Sequence, residues 1–426
     1  MVLYSHSSCS CYLKLFSDPR VRNSRLLLGA LLTSRLATGQ VAPAAPVAAA
    51  SPVVDVADLA HRVWSHIPAH DSASLGHGRR MLLLVPVVGY SQQTGGVAEL
   101  AFDLAFRRPQ ANVSSVVGAA EYTMNKQAIF TATSSVWAPG NAWNFGGDWR
   151  LMHYPQSTYG LGMSTSTTDG VVSMDYEYLR FYQTVLRHLG GSWYVGLGYQ
   201  LDTHWNIVSR NSTREVRAIS RYRYGVEGRS VSSGLVLSML HDSRPNAINP
   251  QGGTYLNAQF RPNLTVLGSS TSYQSLLLDG RWYLHPAPGS ANILALWSYN
   301  VFTLGGNPPF LDLPSTGWDT YSNTGRGFIQ GRFRGKNLVY GEAEYRFGLS
   351  RNGLLGGVVF ANAESVTELK VVRGVVENGR FEKVVPAVGA GLRLNLNKSA
   401  RTNLAVDYGF GLDGSRGLAL NLGEVF

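Results

Sequence analysis

The chain has 426 residues and a formal net charge of +10, from 37 lysines and arginines against 27 acidic residues. Only 15% of its residues are charged, against about 25% in an ordinary soluble domain, while glycine reaches 47 and tyrosine, at 21, outnumbers phenylalanine, at 16. That balance excludes a conventional charged soluble surface, and the basic residues are scattered without a nucleic-acid-binding motif, so no nucleic-acid partner is expected.

Residues 1–39 read as a signal peptide. Lys14, Arg20, Arg22 and Arg25 precede the apolar run "LLLGALL" (26–32), and Ala37-Thr38-Gly39 suits cleavage before Gln40. The leader also carries Arg35 and Asp18, so the mature chain keeps a charge of +6. Both cysteines, Cys9 and Cys11, fall in the leader, which leaves the rest of the chain without a disulfide or a thiolate metal site.

Residues 40–80 read as a linker and short periplasmic segment. An Ala/Pro tract covers 40–53, and "VDVADLAHRVWSH" after it is a candidate short amphipathic helix. His61, His66, His70 and His77 lie here at spacings of five, four and seven. Those spacings fit no zinc motif, and neither metal nor cofactor is expected.

From residue 81 to 426 a period of two takes over, and this region is expected to be a transmembrane β-barrel. In "SWYVGLGYQLDTHWN" (192–206) Trp193, Val195, Leu197, Tyr199, Leu201 and Trp205 share one face. Gly196, Gly198, Gln200, Asp202, His204 and Asn206 share the other. The same alternation recurs in 97–107, 388–397 and 401–412, where Asp407 sits among the polar positions. A soluble sandwich and a membrane barrel both alternate in this way. The barrel is favoured because the strands are long and their polar face mixes charges, amides and glycines. Trp193 and Trp205 would also stand about 28 Å apart across the membrane, near the height of an aromatic-bounded apolar band. No apolar run of about 18 residues supplies a transmembrane helix.

Candidate strands fall at 82–90, 96–107, 113–123, 128–137, 145–155, 171–185, 191–204, 229–243, 254–263, 270–285, 291–303, 337–348, 353–362, 384–397, 401–411 and 416–425. The stretch 205–228 is ambiguous. The fold class is therefore all-β, an antiparallel barrel of about 16 strands, the even number required when both ends lie on one side. Pro86 lies inside the first strand, where it removes a ladder donor; it marks either a bulge or a weak edge.

The longest interstrand stretch, 304–336, is rich in arginine and glycine. The strand after it would turn Val339, Gly341, Ala343, Tyr345 and Phe347 to lipid, and Leu338, Tyr340, Glu342, Glu344 and Arg346 to the lumen. Two readings follow for the loop. It is an exposed basic loop, or it folds inward and latches a guanidinium on a lumen carboxylate such as Glu344.

"GRGFIQGRFRGKNLVYGEAEYRFGL" (325–349) resembles the loop-and-strand signature of the bacterial surface antigen family, the barrels of BamA and TamA. The resemblance implies that Arg326, Gly327 and Phe328 form an inward-folded loop motif and that Glu344 is its acidic wall partner. The family's next strand carries Phe-x-Asp, and this chain reads Phe360-Ala361-Asn362. The arginine thus loses one carboxylate unless Glu342 or Glu364 substitutes. "HDSRPNAINPQGG" (241–253) is similar to a family hairpin through Asp242, Arg244, Asn249, Pro250 and Gly252. "VPVVGYSQQTGG" (85–96) resembles the opening hairpin, and Phe426 resembles a terminal-strand signal. In this family the first and last strands meet at a labile seam, which gives Pro86 its interest. The region before the barrel is too short for the family's periplasmic POTRA domains, so a barrel-only member is expected.

What the resemblance implies is a bacterial outer-membrane protein that assists insertion or translocation of protein or lipid without catalysis. Its partners would be outer-membrane lipids, with outer-membrane protein clients or accessory lipoproteins. The alternative is a passive porin-like or structural barrel. No nucleophile–base constellation stands out that would make the chain an enzyme.

Overall fold

The computed structural model describes residues 53–56, 58–59, 80–91, 94–168, 171–209, 222–372, 375–398, 401–412 and 414–426. The leader, the four clustered histidines and residues 210–221, half of the ambiguous 205–228 stretch, lie outside the described residues.

Sixteen long strands are described, in chain order: β1 Arg80–Ser91, β2 Gly95–Arg107, β3 Val113–Thr123, β4 Ala128–Trp137, β5 Trp143–His153, β6 Val172–Gly190, β7 Trp193–Ser209 and β8 Gly228–Asp242. They continue as β9 Gly253–Asn263, β10 Tyr273–Leu284, β11 Ile293–Gly306, β12 Asn337–Gly348, β13 Leu355–Val366, β14 Val385–Asn397, β15 Thr402–Gly411 and β16 Arg416–Leu422. Each pairs antiparallel with the next. The result is an all-β, nearly closed antiparallel barrel. Among the described residues, no ladder joins β1 to β16.

The alternation sets the walls. Leu82, Leu84, Leu100, Phe130, Leu151, Phe181, Leu197, Leu235, Val359, Leu392 and Phe410 project outward and are exposed. Their neighbours along each strand point into the lumen, where Asp103, Asp148, Arg150, Asp202, Arg261, Glu342, Glu344, Arg393 and Asp407 are buried. A closed ladder satisfies backbone groups within the sheet, so the apolar outer face can meet lipid.

Several strand limits differ from the sequence reading, among them the following three. β6 and β7 run to Gly190 and Ser209 rather than to 185 and 204. β7 continues because it absorbs a bulge, with Asn206 at φ 51° and the register shifting between His204 and Ile207. β16 stops at Leu422 instead of reaching 425, because Gly423 turns the chain at φ 91°.

Counting from β1, both barrel ends lie on one side, with the turns β8–β9, β12–β13 and β14–β15. Residues 53–56 and 58–59 dock there. The Val54 N–H donates to the Asn352 carbonyl at 2.9 Å. Asp55 and Asp58 cap each other's backbone N–H groups at 2.9 and 3.0 Å. Lys398 joins both: its N–H donates to Asp55 at 3.0 Å, and its ammonium stands 2.7 Å from Asp58. The hydrogen bond from Lys398 holds the Asp58 carboxyl below the usual aspartate range.

Candidate functional site: the loop, the wall and the seam

The 30 residues between β11 and β12 (307–336) fold back into the barrel rather than outward. Gly325 and Gly327 take φ values of 74° and 106°, open to glycine and strained for other residues. They swing Arg326 against the wall. A Cβ on Gly327 would sit 3.0 Å from that of Ala387 on β14 and 3.1 Å from the Phe410 nitrogen on β15. From the other side, a Cβ on Gly409 would sit 2.7 Å from Gly327. Here two main chains touch with no side chain between them.

The Arg326 guanidinium meets three carboxylates. It donates to Glu342 and Glu344 of β12 and to Asp407 of β15, the last at 2.7 Å. Its side chain is 2% exposed, and those of its partners no more than 1%. It also lies 3.8 Å from the centroid of the Phe360 ring. Arg393 of β14 shares Asp407 at 2.6 Å, and Arg346 shares Glu344 at 2.6 Å. Charges this deep are tolerated because each is paired and hydrogen-bonded. Phe328 turns away from this network and packs edge-on against Phe333, with centroids 5.5 Å apart.

Asn362 occupies the position where the family pattern has an aspartate. Its amide donates to the Arg326 carbonyl at 2.9 Å. With three carboxylates already around one guanidinium, the wall has no need of a fourth. The carbonyl requires a donor, which an aspartate could not supply. Of the two substitutes considered from sequence, Glu342 meets Arg326, while Glu364 accepts the Thr316 hydroxyl at 3.0 Å.

A second grip on the loop comes from the opposite wall. Arg150 of β5 donates to the main-chain carbonyls of Asp319 and Thr320 at 3.0 and 2.6 Å. Asp148 steadies it at 3.0 Å and also pairs with Arg180 at 3.1 Å. Asp202 continues the network to Arg261 at 2.8 Å and accepts the Tyr178 hydroxyl at 2.6 Å. The loop braces itself around Asp319, which accepts the N–H groups of Asn323 and Thr324 at 3.0 and 2.7 Å. Asp407, Arg393 and Arg150 were not singled out from sequence as partners of the loop.

In the hairpin motif, Arg244 forks onto Asp242 with two 2.9 Å hydrogen bonds and lies over the Tyr255 ring at 4.3 Å. Pro250 is buried and Gly252 half-buried in the same turn. The Ile248 carbonyl of this turn accepts the Glu424 N–H at 2.8 Å. Phe426 stands outside the last strand: residues 423–426 turn into the lumen, and its ring is 2% exposed.

Pro86 sits midway along β1 opposite Leu100, in a β1–β2 register that runs unbroken from Arg80 to Ser91. It points outward, on the strand whose other edge faces β16. Side chains fill that junction. A Cβ on Gly89 would come 2.5 Å from a Leu420 methyl. Nearer the barrel ends, Thr402 donates to Asp103 at 3.2 Å, reaching past β1 to β2. β16 is seven residues long against twelve for β1.

The lumen remains open as a cavity of about 740 Å³ that reaches from the β2–β5 wall to Arg326 and Asp407. Its lining follows β4 and β5 from Trp137 and Asn144 at one end to Ile129 and Met152 at the other. Glu99 and Glu121 face each other across β2 and β3 on this wall.

Residues 110–426 match the Omp85 superfamily domain. Among solved structures, the chain is similar to CdiB from Acinetobacter baumannii, with TM-score 0.50 and 14% identity, over 81% of this chain and 60% of that one. BamA from Haemophilus ducreyi lacking POTRA domains 1–3 is matched with TM-score 0.49 and 15% identity, over 81% of this chain and 69% of that one. No curated protein matches the sequence.

Proposed function

This chain belongs to the Omp85 superfamily of bacterial outer-membrane barrels, and we propose that it assists the insertion or translocation of protein or lipid through the β1–β16 junction. The observation that carries this reading is the contrast between junctions. Every other neighbouring pair of strands shares a ladder, and this one is closed by side chains alone among the described residues. A side-chain closure costs far less to part than a row of backbone hydrogen bonds, whose groups have no water to turn to in lipid. The inward loop and the paired wall charges would hold β12–β15 rigid while the first strands move. Neither nucleotide nor catalysis enters; clients would be outer-membrane proteins or lipids, with accessory lipoproteins as helpers.

The open lumen beside β2–β5 supports a second reading, a passive pore. Paired cysteines at facing positions such as 89 and 420 separate the two. If a locked junction stalls outer-membrane protein assembly and reductant restores it, the insertion reading stands. If locked and unlocked forms support assembly equally and conduct ions equally in planar bilayers, the passive pore is the better account.

A further inference from the structure

The outer face of β1–β6 carries a groove, and the strand register shows why. One row of directly paired outward residues runs Leu84, Phe102, Gly118, Ala132, Trp149 and Phe181, strand by strand from β1 to β6. The next row toward the β3–β4 turn runs Pro86, Leu100, Ala120, Phe130, Leu151 and Leu179. Both rows are large on β5 and β6 and on β2. Between them they drop to glycine or alanine, at Gly118 and Ala132 in the first row and at Ala120 in the second. Side chains stand roughly perpendicular to a sheet, so three small neighbours between large ones leave a depression.

Two further glycines shape its rims. The Trp149 ring is drawn off the floor and lies over Gly147, where an added Cβ would come within 2.4 Å of it. The Phe102 ring covers Gly118 in the same way, at 2.6 Å. What remains is a groove of about 370 Å³ with Ala120 and Ala132 as its floor. Thr131, Arg150 and Arg180 also border it, but their side chains have the opposite, inward parity, and both guanidinium groups pair with Asp148.

The position of the groove identifies its occupant. One row further toward the β3–β4 turn, His153 and Glu177 are cross-strand partners 3.5 Å apart on the same outward face, and Lys126 lies in the turn itself. Charged groups on the outward face mark the end of the apolar band. The groove therefore starts about 7 Å along the strand from that boundary, at a rise of about 3.4 Å per residue, and runs into the hydrocarbon. The turn lies on the side opposite both barrel ends, so this is the outer-leaflet half. A polypeptide laid in the groove would leave its amides without partners in lipid. An acyl chain has no such groups, and it restores the dispersion contacts that an empty groove forfeits.

We propose that this groove is a lipid site, holding one acyl chain of an outer-leaflet lipid whose head group lies level with His153, Glu177 and Lys126. Lipid tails are as apolar as the wall, so shape, not hydrophobicity, retains the chain. The same stretch of wall is backed by the open lumen, since Ala119 and Thr131 border both the groove and the inner cavity. The bound chain thus supports the barrel from outside where the lumen is empty. The inference stands on the outer face and does not require the insertion reading.

The first test uses the unaltered chain in phosphatidylethanolamine–phosphatidylglycerol nanodiscs. A trace of phosphatidylethanolamine carries a photoreactive diazirine on one acyl chain. Crosslinks should concentrate on β2–β6, at Leu100, Phe130 and Leu151; an even spread over the outward faces of all the strands would overturn the proposal. The second test is native mass spectrometry after transfer to detergent. The parent should retain one lipid. Ala120→Leu combined with Ala132→Leu fills the floor and should release it. Ala343→Leu, which adds the same side chain on the exposed outward face of β12, should keep it. A parent that emerges without lipid, or a filled floor that still retains one, would equally overturn the proposal.

Discussion

The two halves of the lumen are built from the same alternating strands and end in opposite states. Along β12–β15 the inward positions carry Glu342, Glu344, Arg346, Arg393 and Asp407, and the loop and residues 423–426 pack onto them with almost no exposure. Along β2–β5 the inward positions include small or hydroxylated residues such as Ala101, Ala119, Thr131 and Thr133, and a cavity remains. Barrel geometry therefore does not decide whether the lumen is filled. What differs is how the loop is held: through the Arg326 side chain on Glu342, Glu344 and Asp407 in one half, and through main-chain carbonyls on Arg150 in the other.

Removing the centre of the filled half should have the largest effect. Arg326→Ala leaves three buried carboxylates facing one another, and a loss of about 3–5 kcal/mol is expected. Urea midpoints of the purified barrel, together with protease cleavage within 307–336, would register it; an unchanged midpoint would mean the ion pairs do not hold the loop. Arg150→Ala tests whether the opposite wall takes part. It frees two loop carbonyls and should cost about 1.5–3 kcal/mol, with new cleavage near Thr320 while the end beside Arg326 stays protected.

Asn362→Asp restores the family pattern and should nonetheless destabilise, by about 1–3 kcal/mol. It sets a buried acceptor against the Arg326 carbonyl and adds negative charge where carboxylates already outnumber guanidinium groups. A stabilised variant would show that the donated amide bond has no weight. The smallest effect belongs to the open half. Glu121→Gln relieves a direct cross-strand repulsion with Glu99 and should leave the midpoint unchanged or raise it by at most about 1 kcal/mol. A large loss there would mean the open wall is as tightly packed as the latched one.

Much of this architecture was legible in the chain. Period-two alternation separates the faces of β12 residue by residue, and the Arg326-Gly327-Phe328 motif stands directly before that strand. Asp407 was visible as a lumen position in 401–412, but nothing local ties it to an arginine 81 residues earlier. Arg150 was beyond reach for a different reason: it grips main-chain carbonyls, which leave no mark in residue identity. The inward turn after Leu422 did leave a signal, since Glu424 has the parity of a lipid-facing residue. Counting parity to the end of the last strand would have placed its limit correctly.

The span of the loop's contacts has a consequence in time. Arg150 meets Asp319 across 169 residues, and Tyr154 reaches Gln330 across 176. Neither contact exists until β6 to β11 have been laid down between them. Arg326 then waits for β15, and the Asn323 amide for the Val425 carbonyl. Contacts between such distant parts of a chain form slowly, because closure entropy is spent before they are gained. The wall is therefore older than its filling: a barrel caught midway through folding would have most of its strands in place and an empty interior, and seating of the loop would be the event that ends its youth.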